Sequence, residues 1–452
     1  MKPNIIFFSR SYQNKLFPLL KSDKYNSVHV TLTKEEKYFL ESIGLEVKYC
    51  FEKFNETNYN GNIDNYLISS FTSDRFLNSY NLDYRRNFLK KEICFWSNIF
   101  DEYKPIAVVN EQVAIEIAEV MYIEAKNRNI RYLAWMTNPI NGFFYWLDDP
   151  MSLSFVRKFD LKKPNKKTLQ IADEYIQNIK IKNERPYYLD PYLGQKKIKR
   201  VLGSISSYLR CLYRETSFFG EKKTFYETYK QSALISLYAS INSIFRKYDD
   251  LSNLKNYEIV LYPLHYEPEA SLSYLSEFFS NQIALIENIA KCLKTNQIIV
   301  VKEHPAQPGI LQTKKYRLLK KNVSNLYYLS HEVTSFQIIK RSKLIITLTS
   351  HLGWEALILG KPVFLLGKMF YDSHPQINRF ESFEKLRERI RNEDYLYPEE
   401  HETIKFISKL LERSYRGKPF RDKDLFSDEN INNIITAIEK KLEELIPSEQ
   451  NY

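Results

Sequence analysis

Glycine is scarce in this sequence, making up 11 of 452 residues against a typical share of ~7%. The chain contains neither a G-x-G-x-x-G nor a G-x-x-x-x-G-K-[ST] pattern. These absences exclude the dinucleotide fingerprint and the Walker A loop, because both need glycine for close approach of the backbone to phosphates. Flexible glycine-rich linkers and collagen-like repeats are excluded as well.

Cysteine and long apolar runs are also lacking. Cys50, Cys94, Cys211 and Cys292 lie far apart and form no C-x-x-C pair, which predicts a reducing compartment and no zinc site. No stretch of 18 apolar residues occurs, and the apolar run before Arg10 is too short for a signal peptide. We therefore expect a soluble, cytoplasmic protein without a metal centre.

The chain does have an excess of basic charge and enough apolar residues for a core. Lysine and arginine total 66 and aspartate and glutamate 55, which gives a net charge of +11. This charge favours anionic partners such as anionic lipid, nucleic acid or phosphorylated substrates. No recognised nucleic-acid-binding motif accompanies the charge, so we expect no nucleic-acid partner. Apolar residues make up 44%, and the length predicts two or three domains.

Short, continuously apolar segments alternate with helix-like segments in both halves of the chain. The predicted strands are 4–9, 28–33, 106–111, 132–137, 258–264, 298–304, 325–330, 344–350 and 362–367. This alternation indicates an α/β fold with parallel sheets. We predict an α/β domain at 1–150, a helical insert at 151–254, a second α/β domain at 255–425 and a C-terminal helix at 426–452. A ligand cleft is expected between the two α/β domains.

Ligands of parallel sheets bind beyond the carboxyl ends of the strands, which directs attention to the residues that follow each strand. The motif KEHP ends one predicted strand with Lys302, His304 and Pro305. An imidazole at this position can donate a hydrogen bond to a phosphate, Lys302 can add positive charge, and the proline stops the strand. The alternative is a turn histidine that binds no ligand.

The segment TLTSHLGWEAL (347–357) follows another strand and begins a helix. Thr349 and Ser350 lie where hydroxyl groups cap a helix, and the free amides of that helix end attract anions. Gly353 lets a ligand approach the backbone, and Glu355 can reach a ribose diol. The alternative is a capped helix with an exposed glutamate. Together with KEHP, this segment predicts a nucleotide pocket.

The segment PLHYEPEAS (263–271) follows a third strand and contains His265, Glu267 and Glu269. A carboxylate at this edge of the sheet is placed to act as a nucleophile or base on a sugar. The alternative is a loop whose two glutamates are solvated or cap the helix that begins near Ser271.

The first third of the chain offers one further candidate, Glu111, which ends a strand after Asn110. Glu111 is the candidate acid or base for an acceptor hydroxyl, and Asn110 alternatively caps a helix. The only D-x-D pattern, Asp422 to Asp424, lies far from the strand ends and disfavours a metal-dependent sugar-nucleotide site. The basic segment 196–214 can lie on anionic lipid or a polyanionic acceptor, the alternative being a solvated helix face.

The order YPLHYEPEAS, KEHP and TSHLGWEALILGKPVFLLG, roughly residues 258–375, resembles the capsular-polysaccharide biosynthesis glycosyltransferases that include the retaining β-Kdo transferases. The HP element and the hydroxyl pair are also similar to those of bacterial CMP-sugar sialyltransferases and CDP-glycerol phosphotransferases. The resemblance implies a GT-B-like arrangement of two Rossmann-like domains that needs no metal or other cofactor. It also implies work at the inner face of the cytoplasmic membrane.

Carried over to this chain, the resemblance assigns His304, Thr349 and Ser350 to the donor phosphate and Glu355 to the ribose. His265, a candidate catalytic residue, stands where the β-Kdo group has a glutamine, and Glu269 stands where it has the aspartate thought to be the nucleophile. We therefore expect a glycosyltransferase of capsule or lipopolysaccharide assembly that uses a CMP-linked Kdo-like or other nonulosonic acid and a glycan or glycolipid acceptor. The alternatives are a CDP-glycerol-type glycerophosphotransferase, a UDP-sugar transferase or epimerase, and a non-catalytic polyanion-binding scaffold.

Overall fold

The structure of the protein, a computed structural model, describes residues 2–66, 74, 77, 80–152, 164–182, 197–213, 222–245, 248–267, 269–420 and 422–444. The chain forms two compact units, each assembled from separated stretches of sequence. Unit 1 comprises Met1–Leu153, Glu215–Glu227 and Arg413–Tyr452. Unit 2 comprises Ser154–Arg214 and Thr228–Glu412.

The strands of the described residues are, in chain order, β1 Asn4–Phe8, β2 Asn26–Val30, β3 Ala107–Glu111, β4 Arg131–Thr137, β5 Phe143–Trp146, β6 Glu258–Pro263, β7 Gln297–Lys302, β8 Leu326–Leu329, β9 Ser342–Thr347, β10 Val363–Leu365, β11 Asn378–Arg379 and β12 Tyr415–Arg416. The α-helices of the same residues are α1 Gln13–Leu16, α2 Lys34–Ser42, α3 Leu82–Tyr103, α4 Glu116–Asn127, α5 Lys166–Lys182, α6 Lys197–Tyr213, α7 Lys222–Phe245, α8 Ala270–Leu275, α9 Gln282–Ala290, α10 Lys314–Asn322, α11 Ser335–Arg341, α12 His351–Ile358, α13 Phe383–Asn392, α14 Glu400–Glu412 and α15 Asp428–Glu443.

Unit 1 is built around a sheet with the strand order β12-β5-β4-β3-β1-β2. Strands β1 to β4 pair in parallel. Strand β5 pairs antiparallel with β4, and β12 pairs antiparallel with β5 at the edge of the sheet. The register places Phe7 beside His29 and Val109, and Phe7 and Val109 are fully buried. Helix α15 packs into the same core through Ile434 and Ile438. Unit 1 includes the chain from Arg413 onward, whereas the predicted second α/β domain extends to residue 425.

Unit 2 is built around a wholly parallel sheet with the order β8-β7-β6-β9-β10-β11. The central strand β6 is apolar and buried from Ile259 to Tyr262, as expected of a strand covered on both faces. The predicted α/β class is confirmed, with two units that are each built around a mostly parallel six-stranded sheet. The described residues of the predicted insert form helices α5, α6 and α7. No helix of the described residues is long and apolar enough to cross a membrane.

Candidate functional site

The sheet of unit 2 reverses its direction of growth between β6 and β9. Strands β7 and β8 lie on one side of β6, whereas β9, β10 and β11 lie on the other. In an open parallel sheet, ligands bind in the crevice at such a switch point, beyond the carboxyl ends of the strands. The three segments predicted to form the site follow β6, β7 and β9, which are adjacent strands. The fold therefore brings all three segments to one edge of the sheet.

His265 joins the segments that follow β6 and β9. Its Nε2 accepts the backbone N–H of Thr349 at 3.0 Å, and its own backbone N–H donates to the Gln282 side chain at 2.8 Å. Because Nε2 is an acceptor, the neutral ring carries its proton on Nδ1. Burial, together with the nearby His304, lowers the pKa of His265 to about 3, so the ring stays neutral at physiological pH. This contact gives His265 a positioning role, and its catalytic role stays a prediction.

Thr349 and Ser350 lie at the start of α12. The Ser350 hydroxyl accepts the N–H of Leu352 at 3.0 Å and caps the helix. The Thr349 side chain is buried, and its hydroxyl has no hydrogen-bond partner among the residues that the structure describes. A buried hydroxyl destabilises the fold unless a ligand or water satisfies it. The Ser350 hydroxyl is thus engaged in the cap, whereas that of Thr349 makes no such bond, and its contact with a donor phosphate stays a prediction.

Gly353 makes room for another side chain of unit 2. A Cβ atom at this position would lie 2.4 Å from the Tyr371 hydroxyl and 2.9 Å from Thr347 Cγ2. The Tyr371 hydroxyl in turn donates to the Ser350 carbonyl at 2.6 Å. The space beside Gly353 is therefore filled by the chain, and approach of a ligand there stays a prediction. Glu355 is buried rather than exposed, and its contact with a ribose also stays a prediction.

His304 is held as a neutral hydrogen-bond donor. Its Nδ1 accepts the N–H of Ala306 at 3.1 Å, which assigns the proton of the neutral ring to Nε2. Burial and the charge of Lys302 lower the pKa of His304 to about 4. The ring of Tyr266 lies edge-on to the imidazole, with 6.2 Å between centroids. Lys302 is buried as the last residue of β7, and Pro305 follows the histidine directly.

Glu303, which the sequence interpretation passed over, anchors the KEHP segment from within the core. Its carboxylate accepts the N–H of Gly309 at 2.7 Å and the Tyr248 hydroxyl at 2.9 Å. His331 Nδ1 lies 3.2 Å from the same carboxylate. These bonds fix the turn that follows His304. The signal in the sequence was a glutamate at the end of a buried apolar strand, where a charge must find partners.

The two glutamates after β6 have different surroundings. Glu267 forms an ion pair with Lys315 at 2.7 Å and accepts the Tyr316 hydroxyl at 3.0 Å, which ties it to α10. Glu269 occupies the N-cap position of α8, where its side chain makes no capping bond and accepts the Ser271 hydroxyl at 2.7 Å. Glu267 is therefore a structural residue of the loop, and the predicted nucleophile, Glu269, lies at the following helix end.

Unit 1 has its own switch point between β1 and β3. Arg10, which follows β1, forms an ion pair with Glu111 at the end of β3, and both side chains are largely buried. The Tyr12 hydroxyl donates to the same carboxylate at 3.5 Å. Asn110 is buried at this edge and does not cap α4, whose N-cap position is Ile115, so that alternative was wrong. The predicted acid or base is thus held by a cation.

The D-x-D pattern is tied to Lys418, whose Nζ lies 3.1 Å from Asp422 and 2.8 Å from Asp424. In the described part of the chain, no group of three or more His, Cys, Asp or Glu side chains is arranged to hold a metal ion.

Residues 220–379 match the model of a family described as "Capsule polysaccharide biosynthesis protein". This interval contains all three segments of the unit 2 edge. The predicted resemblance to this family is confirmed. A comparison with curated protein sequences finds no match.

Several solved structures are similar to this chain at low sequence identity. The β-Kdo 2,7-transferase KpsC of Thermosulfurimonas dismutans is 14% identical, with 80% of this chain and 98% of that chain covered and a TM-score of 0.35. The UDP-GlcNAc 2-epimerase of Neisseria meningitidis bound to UDP-GlcNAc is 13% identical, with 91% and 98% covered and a TM-score of 0.30.

Proposed function

We propose that this protein is a GT-B glycosyltransferase that transfers a Kdo-like or other nonulosonic acid from a CMP-activated donor, with retention, to a growing surface polysaccharide or glycolipid. One observation supports the donor site above all. The segments after β6, β7 and β9 follow adjacent strands at the switch point of the unit 2 sheet, where the Thr349 N–H donates to His265 and the Gln307 side chain donates to the Glu267 carbonyl. This is the edge where ligands of parallel sheets bind.

The chemistry of this edge favours a phosphate. His304 offers an N–H at Nε2 from a ring that stays neutral, and Thr349 offers a hydroxyl. Helix α12 begins directly after Ser350, so its first amides and its dipole favour an anion. Hydrogen bonds to an ionised acceptor are about twice as strong as neutral ones. These groups stabilise the charge that grows on the leaving phosphate, and the proposal uses no metal or cofactor.

In the proposed reaction, the Glu269 carboxylate attacks the anomeric carbon as the bond to the CMP phosphate oxygen breaks. CMP leaves with the bonding electron pair, and a glycosyl-enzyme ester remains. An acceptor hydroxyl, deprotonated by Glu111 of unit 1, then attacks the same carbon and releases the Glu269 carboxylate. Two inversions at one carbon give net retention. The protein is proposed to act in the cytoplasm, peripherally at the inner face of the membrane, in capsule or lipopolysaccharide assembly.

Calorimetric titration and thermal shift with CMP, CDP and UDP test the donor assignment. CMP is expected to bind most tightly of the three nucleotides and therefore to raise the melting temperature most. A ligand at 100 times its Kd raises the free energy of unfolding by about 2.7 kcal/mol. His304→Asn retains an acceptor near Nδ1 for the Ala306 amide but removes the Nε2 donor. It is expected to weaken CMP binding by about tenfold or more.

His304→Gln is the matched control, because its terminal amide restores a donor near the Nε2 position. It is expected to bind CMP more tightly than His304→Asn. No response to CMP, a response to UDP alone, or unchanged affinity in His304→Asn would contradict the proposal. A response to CDP with transfer of phosphorus into the product would indicate a glycerophosphotransferase.

A further inference from the structure

Helix α6 (Lys197–Tyr213) carries a stripe of exposed apolar side chains. The stripe consists of Ile198, Leu202, Ile205 and Leu209. Steps of four, three and four residues place all of them on one helix face. Ile198 is 72% exposed and Leu202 61% exposed, values expected of polar rather than aliphatic residues.

Helix α7 (Lys222–Phe245) has the reverse of the usual arrangement of large and small side chains. Its exposed large side chains are Ile235, Tyr238, Ile241 and Ile244. The buried ones among its described side chains are small, namely Ala233, Ala239, Ser240 and Ser243. An ordinary amphipathic helix turns its large apolar residues inward. In α7, the large residues face away from unit 2 instead.

Both helices are fixed on unit 2 through their other faces. The hydroxyls of Ser204 on α6 and Ser240 on α7 lie 3.0 Å apart. Arg200 lies 3.2 Å from His331 Nε2. A Cβ atom on Gly309 would lie only 1.8 Å from the Ala239 carbonyl oxygen, so α7 rests directly on the Gly309 turn. The exposed apolar residues are therefore held outward by packing on the opposite side.

Both helices are basic in sequence. The sequence of α6 contains Lys197, Lys199, Arg200 and Arg210 and no acidic residue, and the sequence of α7 contains Lys222, Lys223 and Lys230 and one acidic residue, Glu227. A contact between two copies related by a two-fold axis would set these like charges against each other. An anionic bilayer instead offers negative headgroups to exposed basic residues such as Lys199 and acyl chains to the aliphatic side chains.

We propose that the exposed apolar side chains of α6 and α7, together called the α6–α7 apolar face, insert into the surface of an anionic lipid bilayer. The α6–α7 apolar face is then the surface by which the protein binds the membrane, and the proposal rests on the membrane location given in the proposed function. It does not depend on the donor site.

Co-sedimentation of the full chain with vesicles tests this inference. Wild-type protein is expected to bind vesicles of equal parts phosphatidylglycerol and phosphatidylcholine, and to bind pure phosphatidylcholine much more weakly. The variant Ile198→Ser/Leu202→Ser/Leu209→Ser keeps every basic residue and is expected to lose about tenfold or more in vesicle affinity. The control Leu318→Ser/Leu396→Ser/Tyr397→Ser changes three exposed side chains elsewhere in unit 2 and is expected to bind like wild type.

Equal vesicle binding by the α6 variant and wild type would overturn the inference, because it would show that net charge alone attracts the protein. Equal binding of wild type to neutral and anionic vesicles would overturn it as well. A lipid-free dimer that the α6 variant dissociates would assign the face to a second copy of the chain. CMP titration of the same variants separates this result from the proposed function, because loss of vesicle binding with normal CMP binding leaves the donor site intact.

Discussion

The two units place different chemistry at the switch points of their sheets. In unit 1 the point between β1 and β3 holds an ion pair of Arg10 and Glu111. In unit 2 the point between β6 and β9 holds a neutral His265 that accepts the amide of Thr349. A carboxylate can take a proton from an acceptor hydroxyl, whereas neutral donors and helix amides attract a phosphate. This difference underlies the proposed assignment of the donor phosphate to unit 2 and of the acceptor hydroxyl to unit 1.

The largest effect is expected from Glu269→Ala, which tests whether unit 2 carries out the chemistry on the donor. Transfer should fall by about 10³-fold or more, because the nucleophile is lost. CMP affinity should stay unchanged, since the proposed phosphate contacts remain. Release of CMP from the donor without an acceptor should fall equally. Wild-type turnover in this variant would remove Glu269 from the mechanism.

Glu267→Gln is the control for that variant. Because Glu267 is paired with Lys315 and bonded to Tyr316, its replacement should lower the free energy of unfolding rather than abolish transfer. Chemical denaturation and transfer assays on both variants separate the two glutamates.

A smaller effect is expected from Glu111→Gln, which tests the assignment of unit 1 to the acceptor. Loss of the base should reduce transfer by about a hundredfold. Release of CMP without an acceptor should continue at the wild-type rate, because unit 2 alone acts on the donor. An equal loss in both assays would show that the two units do not divide the reaction in this way.

The ion pair of unit 1 predicts that removal of one of its two charges lowers the free energy of unfolding. Arg10→Ala leaves the largely buried Glu111 carboxylate without its cation and should lower the free energy of unfolding by about 2 kcal/mol. The double variant Arg10→Met/Glu111→Gln removes both charges and should recover most of this loss. Urea denaturation measures both values, and equal stability of Arg10→Ala and wild type would show that the pair contributes nothing.

The sequence predicted most of the fold because apolar runs mark buried parallel strands. It did not predict β5, β11 or β12, because each is at most four residues long and carries too little sequence pattern to identify a strand. The same limit applies to the site. The ends of β6, β7 and β9 identified His265, His304 and Thr349, but the bond from the Thr349 N–H to His265 joins residues 84 positions apart and was not predicted. Arg10 was missed because its partner lies 101 residues away, and Glu303 because its bonds form within the core.

The smallest effect concerns pH and isolates His265. Its pKa is about 3 in the folded chain and about 6.5 when unfolded, so the unfolded chain takes up the proton first as the pH falls. The stability that neutral His265 gives the folded chain is therefore complete above about pH 6.5, and it is lost progressively as the pH falls toward the folded pKa. His265→Gln retains an acceptor near Nε2 for the Thr349 amide but does not titrate. Between about pH 7.5 and about pH 5.5, wild type should therefore lose about 1 kcal/mol more stability than this variant. Parallel loss of stability in both proteins, measured by urea denaturation, would show that His265 is not held neutral, and the contrast with the charged pair of unit 1 would fail.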